Sequence, residues 1–308
     1  MKVAIIIDGG AGRVVAAIPA LIKYIRNNPD KEVYTICAAW EMLLWGIPEI
    51  QGRLYNSEVP HIFEDVIKKC DTVIRPEPYL LPDYFNQKVS IAGAFDQLLN
   101  GANEDFYKPY IRISQKEKLY ATATINEVKN YQGKEKTIVI QPFGRGVETD
   151  SNGKIADSSG RSFSAENYLS LVQKLAEKYN VVFFGEPAFY LAKDRYTYKL
   201  QGDLRMWASV IEAADYFVGC DSVGQHISRA VNTKGTVILG STFAINSTYP
   251  EFFKVIEKQI DRRYSPIRIS NTDSMFVDHI NQDSMIFNEE EINYFYNVIS
   301  EDIENQFK

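Results

Sequence analysis

The sequence predicts an α/β protein of two domains, each built around a parallel sheet. At 308 residues the chain exceeds the size that one hydrophobic core usually supports, and it suits two domains of ordinary size. Short apolar strands alternate with segments of helical spacing, and this order starts at residue 2 and again near residue 137. Such alternation is typical of parallel strands that are covered by helices on both faces. We therefore expect two facing Rossmann-like domains.

The first series of elements predicts an N-terminal domain over residues 1–130. Its strands are apolar and β-branched, and its first helix contains Pro19 early enough for the missing N–H to be tolerated. The strands are expected at 2–7, 31–38 and 70–75, and the helix is expected at 14–26.

The second series predicts a C-terminal domain over residues 131–285, followed by a C-terminal helix within 286–308. The join between the domains is expected in the polar, lysine-rich stretch 116–136. Four strands are expected, at 137–142, 180–185, 216–219 and 235–240. Four helices are expected, at 165–179, 206–214, 225–231 and about 289–307.

The composition excludes several classes of protein. With 45% hydrophobic and 24% charged residues, the chain resembles soluble globular proteins rather than disordered or membrane-spanning ones. The three cysteines lie far apart, so we expect neither a disulfide framework nor a zinc ribbon, and we expect a reducing, cytoplasmic compartment. The net charge of −6 argues against non-specific binding to nucleic acid, although a local basic cleft remains compatible with it.

A glycine-rich turn, residues 8–13 with the sequence DGGAGR, lies between the first strand and the first helix. Glycines such as Gly10 and Gly12 let the backbone approach a ligand, and they leave helix N–H groups free for an anion. The turn lacks the third glycine of the dinucleotide-binding fingerprint, because Val15 stands at that position. It is either part of a ligand site or a plain tight turn.

A second polar turn, residues 219–226 with the sequence GCDSVGQH, lies between a later strand and helix. Ligands bind at this position in open parallel sheets, and Ser222 can hold a diphosphate together with the free amides and the dipole of the following helix. His226 is expected in the first helical turn, where it can donate a hydrogen bond to a phosphate oxygen. A lone histidine is more often structural, but the preceding Asp-Ser-x-Gly at a strand end favours a functional residue.

These motifs and their order resemble the heptosyltransferase-like glycosyltransferases, glycosyltransferase family 9. The family has Asp-Ser/Thr-Gly-x-x-His after a strand, then an alanine-rich helix and a strand ending in Gly-Pro/Ser-Thr; this chain has DSVGQH, ISRAV and VILGST, followed by YP. Further similar segments are GGAGRVVAAIPAL, IVIQP, RSF, FFGEP and LQGDLRMWASVIEAAD. The matching segments cover residues 2–21 and about 137–250, whereas residues 40–130 carry no segment diagnostic of the family. The resemblance implies the GT-B fold, in which two Rossmann-like domains face one another.

The resemblance also implies a site for a nucleotide-diphosphate sugar as donor substrate, without a cofactor. The residues expected to hold this donor are Gly10, Gly12, Arg161, Glu186, Asp221, Ser222, Gly224 and His226. Arg161 would contact the diphosphate, because guanidinium suits phosphate oxygens, and Glu186 would accept hydrogen bonds from the ribose or the base. Each of these residues can instead be a structural cap or part of a surface ion pair. We expect no metal, because the three histidines lie on unrelated segments and no acidic cluster has ligand spacing.

Two positions depart from the family pattern. The acid that follows G-x-x-G, the family's proposed catalytic base, is Arg13 here, and Val223 stands where the family has glycine, with Gly224 one place later. Arginine stays protonated and cannot take a proton from an acceptor hydroxyl. Asp8 is a nearby carboxylate that either replaces the missing base or caps the glycine turn, and Arg13 would then face a phosphate or an anionic acceptor.

The main functional hypothesis is a glycosyltransferase that moves a sugar, with inversion, to a hydroxyl of a glycan, a lipid-linked saccharide or a modified nucleobase. The donor is expected against the C-terminal domain, and the acceptor against the N-terminal domain near residues 8–13. A non-catalytic nucleotide-sugar-binding protein of the same fold is the first alternative, because arginine stands where the base belongs. A phage-type DNA-modifying glycosyltransferase is the second. Residues 1–136, with 17 basic and 17 acidic side chains, neither support nor exclude a nucleic-acid acceptor.

One long segment, 144–160, has no periodicity and is rich in Gly, Ser and Asp. A structureless loop of this length inside a compact domain is either functional or an insertion. We expect a mobile lid over the donor; a surface insertion and unrecognised secondary structure are the alternatives.

Overall fold

The computed structural model describes residues 1–102, 108–144, 147–149, 155–157, 160–186, 189–240, 242–258 and 282–306. Within these residues the chain forms one parallel sheet in each half, together with one short antiparallel pair of strands. The predicted α/β class with two parallel sheets is confirmed.

The N-terminal half contains a four-stranded parallel sheet with the strand order β3-β2-β1-β4. Its strands and α-helices are β1 (Lys2–Ile7), α1 (Ala11–Asn27), β2 (Glu32–Cys37), β3 (Leu54–Asn56), α2 (Ile62–Asp65), β4 (Thr72–Ile74), α3 (Pro82–Phe85) and α4 (Ile91–Asn100). Apolar side chains of β1 and of the buried face of α1 form the centre of the core in this half.

The predicted strands β1 and β2 are confirmed, and β4 is shorter than predicted. Strand β3 was not predicted, because its three half-buried residues give no alternating pattern. Helix α1 begins three residues before the predicted position, since the small residues Gly10, Ala11 and Gly12 fit its first turn. The predicted glycine turn is therefore largely the N-terminus of a helix.

The C-terminal half contains a six-stranded parallel sheet with the strand order β12-β11-β10-β5-β8-β9. Its strands and α-helices are α5 (Gln115–Gln132), β5 (Thr137–Gln141), β6 (Val147–Thr149), β7 (Ile155–Asp157), α6 (Ala165–Lys178), β8 (Asn180–Phe183), β9 (Tyr198–Lys199), α7 (Leu204–Ala213), β10 (Tyr216–Gly219), α8 (Val223–Val231), β11 (Gly235–Leu239), α9 (Ala244–Ser247), β12 (Lys254–Glu257) and α10 (Glu289–Gln306). The eight predicted strands and helices of this half are present, whereas β9 and β12, at the two edges of the sheet, were not predicted.

The stretch 116–136, where the join between the domains was predicted, is mostly helix α5 rather than a linker. Ser114 and Glu117 form a capping box at its start, so its first turn has the usual N-terminal hydrogen bonds. A narrow buried face with Ala121 and Ile125 packs on α7, β5 and β8. The remaining faces of α5 are exposed, which explains the polar composition of this stretch. The predicted domain boundary at residue 130 falls inside this helix.

The segment 144–160 contains more regular structure than we predicted. Its described residues include the antiparallel strands β6 and β7, in which Val147 pairs with Asp157. Asp157 also accepts a hydrogen bond from the backbone amide of Ser162 at 3.0 Å. The described residues do not include 145–146, 150–154 and 158–159. The predicted mobile lid falls largely on these positions, so it stays a prediction.

Two buried polar side chains join the halves of the molecule. Asn246, in α9, donates from Nδ2 to the carbonyl oxygens of Tyr84 and Val89 at 2.8 and 2.9 Å. Arg205, in α7, donates to the carbonyl oxygens of Met42 and Arg112. Buried carbonyl groups need such partners, so these hydrogen bonds hold the two halves in one arrangement.

Helix α10 ends the described chain and packs on α6 of the same half. Its buried face consists mainly of Ile292, Phe295, Ile299 and Ile303, spaced three or four residues apart. Across the described residues, no helix has the length and the apolar character needed to cross a membrane.

Candidate functional site

Each parallel sheet has a topological switch point, where a ligand can bind. In the four-stranded sheet the direction of strand order reverses between β1 and β4, and in the six-stranded sheet it reverses between β5 and β10. The carboxyl ends of such strands open into a crevice, because the connections that follow them leave in opposite directions. The residues directly after β1, β4, β5 and β10 are therefore the candidates for ligand contacts.

The two crevices meet where helix α1 packs on helix α8. The helices approach closely at Gly12, where an added Cβ would lie 2.6 Å from Cδ2 and 3.1 Å from Nε2 of His226. The N-cap residue of α1 is Gly10, which has no side chain to cap the helix. The N-cap residue of α8 is Ser222, whose side chain makes no capping hydrogen bond. Two helix N-termini, each with a partial positive charge, thus begin at one cleft. The structure brings together the two turns that the sequence predicted.

His226 is buried in the first turns of α8. Its Nδ1 lies 2.9 Å from the hydroxyl oxygen of Tyr249, and the two rings are nearly perpendicular. Burial, and secondarily the charge of Arg161, lowers the pKa of His226 to about 4. The imidazole is therefore neutral near pH 7 and can offer one N–H to a ligand.

Asp221 and Arg161 form the charged pair of the C-terminal wall. Nη1 of Arg161 lies 3.9 Å from Oδ2 of Asp221, and Nε2 of Gln225 donates to Oδ1 of Asp221 at 2.9 Å. Burial raises the pKa of Asp221, while Arg161 acts in the opposite direction. Burial also disfavours the charge on Arg161, but Asp221, Asp157 and other nearby groups together outweigh it and raise the pKa of the guanidinium. Arg161 keeps 28% of its side chain exposed, so a cation remains accessible to an anionic ligand.

Gln141, which ends β5, caps helix α8 from outside the helix. Its Oε1 accepts the amide of Gly224 at 2.7 Å, and its Nε2 donates to Oγ of Ser222 at 3.2 Å. A Cβ at Gly224 would lie 2.4 Å from that Oε1, so this glycine permits the close approach of Gln141. We predicted that Gly224 would hold the diphosphate, but its amide already has a protein partner. The hydroxyl of Ser222 can still donate to a ligand.

Arg13 is buried, with 8% of its surface exposed, and it points toward the loop after β4. Its Nη2 lies 2.9 Å from Oδ1 of Asp8, 3.1 Å from Oε2 of Glu77 and 3.3 Å from the carbonyl oxygen of Pro76. Its guanidinium carbon lies 5.1 Å from the centroid of the Tyr79 ring. Arg13 was expected to face a phosphate or an anionic acceptor, but it faces carboxylates of its own half, since a buried guanidinium needs compensating charge.

Asp8 lies at the end of β1 and is mostly buried. Its Oδ1 contacts Arg13, and its Oδ2 accepts hydrogen bonds from Nε of Arg75 at 2.7 Å and from Nη2 of the same guanidinium. Both carboxylate oxygens are thus occupied by arginine donors. In this structure Asp8 anchors two arginines instead of capping the glycine turn.

Glu186 is exposed beyond the end of β8. Strand β8 pairs with β5, so Glu186 lies on the same edge of the sheet as Gln141.

Several residues of the cleft were missed from the sequence. Gln141 carries a usable signal, because a polar residue at the carboxyl end of an apolar strand is a common ligand position. Glu77 lies in a segment without a motif, and Tyr249 was noted only as part of the Tyr-Pro pair in the resemblance, without a role. Only the folded chain places them beside Arg13 and His226. Across the described part of the chain, no three His, Cys, Asp or Glu side chains are grouped as a metal ion would need.

Two facing parallel-sheet domains with a cleft between the carboxyl ends of their strands define the GT-B fold. Solved structures of glycosyltransferases have a fold similar to that of this chain. The E. coli ADP-heptose LPS heptosyltransferase II is 15% identical, with 84% of this chain and 91% of that chain covered and a TM-score of 0.58. A glycosyltransferase family 9 protein of Veillonella parvula is 12% identical, with 84% and 86% covered and a TM-score of 0.57.

A third similar structure is the iron-containing dodecameric heptosyltransferase TibC of enterotoxigenic E. coli. In complex with ADP-D-β-D-heptose it is 12% identical, with 98% of this chain and 76% of that chain covered and a TM-score of 0.64. The predicted GT-B fold is confirmed, and so is the predicted resemblance to heptosyltransferase-like glycosyltransferases at the level of the fold. No family model matches the chain, and no curated protein matches its sequence.

Proposed function

We propose that the protein is a glycosyltransferase that transfers a sugar from a nucleoside diphosphate to a hydroxyl acceptor. The observation that supports this most is the meeting of two switch-point crevices at Gly12 and His226. Two helix N-termini begin at this cleft, beside an accessible Arg161 and a neutral His226. Such a set of donors fits a diphosphate, since all of them offer hydrogen bonds or positive charge to oxygen.

The donor lies against the C-terminal half in this proposal. Arg161 neutralises the diphosphate, while His226 and Ser222 donate hydrogen bonds to its oxygens. Asp221 acts indirectly, because it holds Arg161 and Gln225 in place. As the sugar leaves, negative charge grows on the diphosphate, and these fixed donors stabilise that charge.

The acceptor lies against the N-terminal half, near the ends of β1 and β4. An acceptor hydroxyl there attacks the anomeric carbon from the side opposite the diphosphate, which inverts the configuration. This arrangement needs the two halves to stay close, as the hydrogen bonds of Asn246 and Arg205 hold them. ADP-linked sugars are tested first, because the TibC structure contains ADP-D-β-D-heptose.

The donor site is tested by the variants Arg161→Ala and His226→Ala. Each removes a hydrogen-bond donor to a charged group, so we expect each to weaken nucleoside diphosphate binding by about 1–3 kcal/mol. The measurement is calorimetry with ADP, GDP and UDP, after a thermal-shift screen has shown which of them binds.

Arg26→Ala is the matched control for Arg161→Ala. Arg26 lies at the far end of α1 and forms an exposed ion pair with Glu49, so its removal leaves the cleft unchanged. Wild-type affinity in both site variants, or an equal loss in Arg26→Ala, would show that the diphosphate does not bind at this cleft.

A non-catalytic nucleotide-sugar-binding protein is the second candidate. It is favoured by the two arginines that occupy both oxygens of Asp8, because such a carboxylate is poorly placed to take a proton from an acceptor. Tight donor binding without release of nucleoside diphosphate, tested with a broad panel of donors and acceptors, would support it. Turnover of any donor would exclude it.

A further inference from the structure

A second carboxylate, Glu77, lies at the same switch point as Asp8. It follows β4, whereas Asp8 follows β1, and the strand order reverses between these two neighbouring strands. Both carboxylates contact Nη2 of Arg13. The position that carries an acid in the resembling family thus carries a cation here, and a carboxylate from another strand lies beside that cation.

Glu77 has fewer cationic partners than Asp8. Asp8 contacts two guanidinium groups through both oxygens, whereas Glu77 contacts Arg13 through Oε2 and accepts the backbone amide of Tyr79 at 3.3 Å through Oε1. Nη2 of Arg13 donates hydrogen bonds to Oε2 of Glu77 and to the carbonyl oxygen of Pro76. A carboxylate oxygen has more than one lone pair, so Oε2 of Glu77 can accept a further hydrogen bond from an acceptor hydroxyl.

The segment that begins at Glu77 runs to the donor wall of the cleft. The carbonyl oxygen of Tyr84 accepts a hydrogen bond from Asn246 of the C-terminal half at 2.8 Å. Burial raises the pKa of the Tyr84 phenol, and the charges of Asp221 and Arg161 also act on it. Glu77 keeps 22% of its side chain exposed, so its carboxylate is accessible to a ligand.

We propose that Glu77 is the catalytic base of the transfer, and this assignment rests on the proposed glycosyltransferase function. Its carboxylate takes the proton of the acceptor hydroxyl while that oxygen forms a bond to the anomeric carbon. The bond between the anomeric carbon and the diphosphate oxygen breaks, and its electron pair leaves with the nucleoside diphosphate. Glu77 then returns the proton to solvent. Arg13 is a positioning residue that holds both Glu77 and Asp8.

The test compares Glu77→Gln with Asp8→Asn, which makes the same acid-to-amide change at the same switch point. Release of nucleoside diphosphate is measured with ADP-linked heptose and with ADP-, GDP- and UDP-linked hexoses. Water serves as acceptor, so that the natural acceptor is not needed. We expect Glu77→Gln to lower turnover by about 10²–10⁴-fold, while the dissociation constant of the nucleoside diphosphate changes by less than about threefold. Asp8→Asn is expected to lower turnover by less than about tenfold.

Wild-type turnover in Glu77→Gln, or a larger loss in Asp8→Asn, would overturn the assignment and leave the transferase function intact. If Glu77→Gln does not fold, Glu77→Asp replaces it, because this variant keeps the charge beside Arg13 but withdraws the carboxylate by one methylene. Unchanged turnover in Glu77→Asp would also overturn the assignment. If the wild-type protein releases no nucleoside diphosphate from any bound donor, either with water or with any member of the acceptor panel, the transferase function is excluded, and so is the assignment of Glu77.

Discussion

At the scale of single residues, the tautomer of His226 determines which hydrogen bond the site offers to an anion. Burial raises the pKa of the Tyr249 phenol, so this hydroxyl keeps its proton and can donate it to Nδ1 of His226. When Tyr249 donates in this way, the neutral imidazole carries its own proton on Nε2, the nitrogen nearest Gly12. In that tautomer His226 is a donor, which suits a diphosphate oxygen.

The burial of neutral His226 predicts an acid-sensitive contribution to stability. An unfolded histidine has a pKa of about 6.5, whereas that of His226 is lowered to about 4 by burial and by Arg161. Between these two pH values the unfolded chain binds a proton that the folded chain excludes, so stability falls as the pH falls. We expect the free energy of unfolding of wild type, relative to His226→Gln, to decrease by about 2 kcal/mol from about pH 7.5 to about pH 4.5.

Urea unfolding of both proteins across this pH range measures the difference. The comparison cancels the other titrating groups, and glutamine can keep a hydrogen bond to Tyr249. A difference that stays constant with pH would mean that His226 is not held neutral in the folded protein.

At the scale of secondary-structure elements, the first turns of α1 and α8 are packed so closely that position 12 has no room for a side chain. A Cβ at Gly12 would meet the ring of His226 at 2.6 Å, whereas a Cβ at Gly10 would have no atom within 4 Å. The two glycines therefore differ in role: Gly12 permits the approach of the helices, and Gly10 leaves open space at the start of α1.

Alanine substitutions separate these two roles. Alanine in a helix interior usually gains about 1 kcal/mol over glycine, but a forced contact in a packed interior costs about 1–3 kcal/mol. We expect Gly12→Ala to be less stable than wild type and to bind nucleoside diphosphate more weakly, because the ring of His226 must shift. Gly10→Ala is the control, with a loss of less than about 1 kcal/mol. Thermal unfolding and calorimetry measure both effects; a Gly12→Ala protein more stable than wild type would contradict the observed packing.

At the scale of the whole molecule, buried hydrogen bonds link the two halves, in addition to the packing of α1 on α8 and a shared hydrophobic cluster. Donor and acceptor lie on opposite walls in the proposed function, so transfer requires these walls to approach each other. Asn246 donates to two carbonyl groups of the opposite half, at Tyr84 and Val89. This amide is thus a direct contributor to the closed arrangement.

Asn246→Ala is expected to loosen the contact between the halves. It removes two hydrogen bonds and leaves two carbonyl groups without their partner, a loss of about 2–4 kcal/mol in the closed arrangement. We expect a larger radius of gyration in solution scattering and faster hydrogen exchange around residues 84–91. The matched control is Asn28→Ala, because Asn28 donates to the carbonyl oxygen of Tyr24 within its own half. Unchanged scattering and exchange in Asn246→Ala would show that other contacts hold the halves together.

The sequence by itself determined the architecture of this protein and the place of its cleft. Apolar runs such as 2–7 and 235–239 predict buried parallel strands because the pattern is local. The turn before His226 was likewise predicted between a strand and a helix, and both are present. The short edge strands β3, β9 and β12 escaped prediction, because so few residues carry too little pattern.

Only the tertiary structure decided which partners the charged and polar residues of the cleft meet. Arg13 pairs with Glu77, 64 residues away, and Gln141 caps Gly224, 83 residues away. A buried guanidinium must find a carboxylate and a helix N-terminus must find an acceptor, but many residues of the chain can supply either. The choice among them depends on how distant segments pack at the two switch points. That packing made Asp8 an anchor for arginines and left Glu77 beside Arg13.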